Sequence, residues 1–149
     1  MRIYVDTSVV GGYFDDDFAV ETKQFFEKVE GGEFVLVVSD LLKTELLRAP
    51  TNVRELLDKF RETQIENITL TQESRDLANE YISERVVGET SLADCQHIAI
   101  ATIARVDVLV SWNFKHIVNL RRIRGYNSVN MKNNYPSLEI RTPEEVLDL

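Results

Sequence analysis

Residues 91–113 read SLADCQHIAIATIARVDVLVSWN. Within this stretch Ile98, Ala99, Ile100, Ala101, Ile103 and Ala104 make a helix apolar almost all round and therefore buried.

 Directly behind it, residues 106–110 (VDVLV) form a short apolar run of the kind found in central strands that helices cover on both faces. A buried helix that feeds a buried strand is a unit of a parallel α/β sheet. Residues 34–38 (FVLVV) repeat the strand half of this pattern, and weaker β-type runs at residues 2–5, 64–68 and 138–140 bring the expected strands to five.

The stretches between these runs carry helical signals. Phe18, Phe25, Phe26 and Val29 recur at helical spacing over residues 17–30, and Gly31-Gly32 offers a left-handed stop. Residues 40–48 and 53–62 read as two helices parted by Ala49-Pro50-Thr51-Asn52, with Thr51 or Asn52 as the second cap. An amphipathic helix is expected over residues 71–85. SLAD at residues 91–94 has the pattern of a capping box, with Asp94 at its third helical position, and Thr142-Pro143-Glu144-Glu145 opens a short last helix.

At 149 residues the chain has the length of one domain, expected to span 1–149. With 44% hydrophobic and 28% charged residues it is neither disordered nor fibrous in composition. Its net charge of -8 excludes the cationic field of a nonspecific nucleic-acid binder, so a nucleic-acid substrate requires a local basic patch. Residues 115–132 supply one: Lys115, Arg121, Arg122, Arg124 and Lys132 occur there without an acidic residue, although a solvated helix face has the same composition. Cys95 has no partner for an internal disulfide, no apolar run is long enough to cross a bilayer, and Asp6 interrupts any secretory segment in MRIYVDTSVV. Cytoplasm is the expected compartment.

Four polar residues fall on one expected edge of the sheet. Asp6 ends the first strand, where ligands of open parallel sheets bind, although a turn aspartate followed by Thr7 and Ser8 is equally common. Glu45 follows the second strand, beside the apolar stripe of its helix. Asp94 opens the buried helix, and Asn113 follows the fourth strand, where asparagine commonly makes a turn. Clustered carboxylates repel unless a cation neutralises them, and oxygen donors without a histidine and cysteine set favour Mg2+ or Mn2+ over zinc. The chemistry so implied is phosphoryl transfer to water, with the metal activating the water and holding the scissile phosphate. Other polar and aromatic residues have plainer readings. Asp15, Asp16 and Asp17 fit a solvated capping loop, Cys95 fits a small buried position, His97 follows Asp94 by three residues but is not needed as a general base when a metal activates water, and Trp112 and Phe114 fit core or dimer packing as well as base stacking.

IYVDTSVV, VSDLLKTEL, SLADCQHIAIAT, LVSWNFKHI and LEIRTPEE together resemble the PIN domain nucleases, most closely the VapC-type toxins of toxin–antitoxin pairs. The resemblance implies an α/β fold, a PIN-like three-layer α/β/α sandwich whose five-stranded, mostly parallel sheet runs in the order 3-2-1-4-5. It also implies catalytic roles for Asp6, Glu45, Asp94 and Asn113, the three acids holding Mg2+ or Mn2+. Asn113 stands where aspartate is frequent, which removes a charge and weakens the case for a second metal. RNA as substrate, a homodimer and inhibition by a small antitoxin protein follow from the same resemblance. Thr7, Ser8, Lys115, Arg121, Arg122 and Arg124 are the expected substrate contacts. A catalytically weak RNA-binding module or a housekeeping nuclease shares these features. A haloacid dehalogenase-type phosphatase fits poorly, because Ser8 stands where its second acid belongs, and no glycine-rich phosphate loop is present.

Overall fold

The apolar runs pair as parallel strands. In the computed structural model, which describes residues 1–149 apart from the side chain of residue 90, the strands are β1 (Arg2–Val5), β2 (Val35–Ser39), β3 (Ile65–Ile68), β4 (Val108–Val110) and β5 (Ile140–Arg141). Their order is β3-β2-β1-β4-β5 and every pairing is parallel, with Ile3 opposite Leu36 on one side and Val108 on the other. The connections carry α1 (Thr7–Gly12), α2 (Ala19–Glu30), α3 (Asp40–Leu46), α4 (Thr51–Glu55), α5 (Gln72–Ser83), α6 (Leu92–Ile103) and α7 (Leu120–Lys132).

Strand side chains alternate between two faces, and here both faces are apolar. Tyr4, Val37, Leu109 and Ile140 pack with Leu77, Ile98 and Tyr126 of the layer formed by α5, α6 and α7. Ile3, Val5, Leu36, Val38, Val108 and Val110 pack with Val10, Phe25 and Leu42 of the layer formed by α1, α2 and α3. The result is the three-layer α/β/α sandwich, with each helical layer sealing one face of the sheet. At the amino-terminal edge the charges are paired: the Arg2 guanidinium bonds Glu66 at 2.9 and 2.5 Å, and the Arg2 amide donates to Asp107 at 2.7 Å.

Several local expectations shift. Thr71 caps α5 as its sequence implies, accepting from the Ser74 amide at 3.1 Å, and Gly32 takes a φ of +81° after α2. The helix expected over residues 53–62 is instead α4 followed by a 3-10 turn at Leu56–Lys59, and Pro50 precedes its first residue, Thr51. SLAD does not form a capping box. A 3-10 turn at Glu89–Ser91 leads straight into α6 and leaves Ser91 at φ -101°, ψ 21°, outside the extended conformation of a capping serine. The last helix is one 3-10 turn, Glu144–Val146, held by reciprocal bonds between Thr142 and Glu145. Among the described residues no helix is long and apolar enough to cross a membrane.

Gly12 ends α1 against Trp112. A Cβ there would lie 2.8 Å from Trp112 Cδ1 and 3.0 Å from Thr22 Oγ1, whereas one at Gly11 meets nothing within 4 Å. Gly12→Ala therefore destabilises the protein by ~1–3 kcal/mol in urea unfolding through overpacking. Gly11→Ala, measured alongside, has no such cost.

Candidate active site

Chain order along the sheet reverses beside β1: β2 and β3 continue on one side, β4 and β5 on the other. The carboxyl end of such a switch point is where open parallel sheets bind ligands. Asp6 follows β1 there and Ser111 follows β4. Asp6 is only 4% exposed, and its carboxylate makes no bond to the backbone amides of α1. Instead Oδ1 accepts from Ser8 Oγ and Oδ2 from Ser111 Oγ, both at 2.6 Å. Each serine also accepts from the backbone at 2.9 Å, Ser8 from the Trp112 amide and Ser111 from the Asn113 amide. Burial pushes the Asp6 carboxyl above its usual range, and the charge of Asp94 adds to this; the hydrogen bonds from Ser111 and Ser8 oppose the shift without cancelling it.

Glu45 lies near the end of α3, whose cap Ser39 accepts from the Leu42 amide at 3.1 Å. Its Oε1 accepts from Thr7 Oγ1 at 2.8 Å and stands 2.5 Å from His97 Nε2. His97 Nδ1 lies 2.5 Å from the Tyr4 hydroxyl, which lies 2.7 Å from Ser39 Oγ. One direction of donation satisfies every atom: Leu42 N–H to Ser39, Ser39 to Tyr4, Tyr4 to His97 Nδ1, and His97 Nε2–H to Glu45. Burial favours a neutral Glu45, but the His97 and Thr7 bonds outweigh it and hold the carboxyl below its usual range. Burial raises the Tyr4 phenol, which keeps its proton in this chain.

Asp94, on the first turn of α6, is 25% exposed and faces His116, whose Nδ1 stands 3.1 Å from Oδ2. Asn113 is occupied as a turn residue: its side-chain oxygen accepts from the His116 amide at 2.9 Å. The basic segment divides. Lys115, Arg121 and Arg124 are exposed, Arg122 bonds the Val86 carbonyl, and Lys132 pairs with Glu84. Asp15 accepts from the Asp17 amide within its loop, and Cys95 is buried, which pushes its thiol up to about 12.

Asp6 thus feels the charge of Asp94, while Glu45 bonds Thr7, the residue after Asp6, and His97, which shares α6 with Asp94. Among the described residues no three His, Cys, Asp or Glu side chains form a ready-made metal cage. The donors nevertheless suit a hard cation that keeps part of its water shell and takes one or two carboxylates. Asp6 is the telling group, since a cation relieves both its burial and its repulsion by Asp94. Sequence reasoning did not single out Ser111 or His116, and it set His97 aside as an unneeded general base, missing its bond to Glu45. Ser111 had one signal, its position after β4, where a side chain reaches the edge that Asp6 occupies.

No protein-family model matches the chain, and no curated protein does. Among solved structures it is similar to a chain of VapBC2 from Rickettsia felis bound to a DNA fragment from their promoter. The two share 14% identity over 95% of this chain and 98% of that one, with a TM-score of 0.58. At that identity the likeness is one of fold, and the fold is PIN-like: a five-stranded parallel sheet between helical layers.

The raised Asp6 carboxyl makes a prediction with a definite sign. A folded-state value above the ordinary aspartate value gives stability that is complete below that ordinary value and is lost as pH rises through the folded value. Metal-free wild-type protein therefore gains stability on acidification toward pH 4 relative to Asp6→Asn, and Asp6→Asn is the more stable of the two at pH 7. Parallel denaturant curves across pH check this, and parallel pH profiles for the two proteins would contradict it.

Proposed function

We propose that residues 1–149 act as a single PIN-type domain that hydrolyses RNA phosphodiester bonds with Mg2+ or Mn2+, as the toxin of a toxin–antitoxin pair. The observation that carries this reading is the buried Asp6 carboxylate at the sheet's switch point, charge-coupled to Asp94. The fold shared with a VapBC2 chain supports it. Asp6 and Asp94 hold the cation, with Glu45 completing the acidic site. When bound, the cation supplies an acidified water and neutralises charge on the phosphate.

The chain's own groups prepare that site. Ser8 and Ser111 fix both oxygens of Asp6, and His116 orients Asp94. Thr7 and His97 keep Glu45 anionic and in place. Exposed Lys115 and Arg121 attract the RNA backbone into a surface that is otherwise acidic. A small antitoxin placing a basic side chain among the same carboxylates would compete with the cation. A homodimer belongs to this reading as well. One observation favours the alternative of a weak catalyst that chiefly binds RNA: the side-chain oxygen of Asn113 is already committed to the His116 amide.

Cleavage of a labelled RNA panel, with Mn2+ or Mg2+ and then with excess EDTA, tests the assignment. Cutting should need the cation, and undiminished cutting in EDTA would rule the mechanism out. Asp6→Asn and Asp94→Asn should each lose more than ~100-fold activity, beyond the effect usual for an outer-shell partner. Ser111→Ala removes such a partner and should weaken Mn2+ binding by ~10–100-fold in calorimetry. For the toxin role, expression of the chain alone should arrest growth, and a small copurifying protein should restore it.

A further inference from the structure

We propose that Phe114 is a stacking platform for one unpaired nucleobase of the RNA strand, a subsite that rests on the ribonuclease reading above. The segment around it is joined to both key carboxylates. On one side Ser111 bonds Asp6 and the Trp112 amide bonds Ser8; on the other His116 meets Asp94. Phe114 lies between these anchors in sequence and keeps 51% of its surface exposed, while Ile117 and Val118 of the same loop are buried.

The loop is fixed by its own bonds. The Asn113 carbonyl accepts from the Ile117 and Val118 amides at 3.0 and 2.8 Å, and its side chain accepts from the His116 amide. The Asn119 side-chain amide donates to the carbonyls of Phe114 and Lys115 at 2.7 and 3.1 Å. Behind Phe114 stand two further rings, with Trp112 at a centroid distance of 6.2 Å and Phe18 at 6.4 Å; Phe18 itself stacks on Trp112 at 4.5 Å. An aromatic face held in place before binding loses little freedom when a base covers it.

Charge selects the occupant. Lys115 is exposed beside Phe114, and no acidic residue follows until Glu139, so this stretch of chain is positively charged in a protein of net charge -8. A nucleic-acid strand offers phosphate to Lys115 and a base to Phe114 within one nucleotide. In a duplex both faces of a base are covered by its neighbours, so the platform takes unpaired bases only.

The test uses the full chain in EDTA, so that binding is read without cleavage, and a short single-stranded RNA in which one abasic position is moved along the strand. One position should cost wild-type protein about 10-fold in affinity, the loss of a stacked base. Phe114→Ala should bind the intact strand correspondingly more weakly and lose the position dependence, while Phe114→Tyr restores both. Trp112, the single tryptophan, should be quenched by the intact strand and less so by the strand abasic at that position. Unchanged binding by Phe114→Ala, equal binding of duplex RNA, or loss of self-association in Phe114→Ala by sedimentation would each overturn the platform. Absence of cleavage on adding Mn2+ with the position effect intact would instead sink the ribonuclease reading alone.

Discussion

Asp6 places a carboxylate in a nearly closed space between the ends of two strands that are neighbours in the sheet but about a hundred residues apart in the chain. A charge in such a place is costly unless it is bonded or neutralised. Ser8 and Ser111 meet that requirement only in part, as the upward shift of the carboxyl records. Much of the surrounding structure serves this one group. The Ser8 hydroxyl reaches it because α1 begins at once after β1, and Trp112, next to Ser111, packs so tightly on Gly12 that a methyl group has no room. The only partly relieved burial of this carboxylate is thus built into the way the two strands end.

Glu45 is managed differently. Its hydrogen-bond chain begins at the cap of α3, crosses the buried Tyr4 of β1 and returns through His97 of α6. Each member is fixed by the next, so three elements from separate parts of the sequence set the position of one carboxylate. The contrast between the two acids is physical: burial dominates at Asp6, and bonding to His97 and Thr7 prevails at Glu45. Groups with opposite shifts at one site are a common sign of chemistry rather than of packing alone.

The sheet was legible because its strands are apolar on both faces, a pattern that VLVVS and VLV carry without ambiguity. The expectation that Asp6, Glu45 and Asp94 share the carboxyl edge came from the strand that Asp6 follows, the helix that Glu45 nearly ends and the helix that Asp94 opens. What could not be read were contacts between distant polar residues. His97 looks like any small polar interruption of an apolar helix until Tyr4 and Glu45 are set on either side of its ring. Ser91 misled for a local reason, since its motif assumes an extended residue before the helix and the chain arrives already turning. The basic run likewise mixes exposed Lys115, Arg121 and Arg124 with Arg122, which bonds the Val86 carbonyl, and Lys132, which is exposed but paired with Glu84.

The central position of β1 also bears on synthesis. Its partner on one side, β2, is made soon after it, but β4 and Ser111 come about a hundred residues later. Until they emerge from the ribosome, Asp6 lacks one of its two hydroxyl partners, and Asp94 lacks His116. A partly made chain therefore holds the first acid but not the site. Assembly of the acidic edge waits for most of the protein to be translated, because the order of strands puts its last bonding partners near the end of the chain.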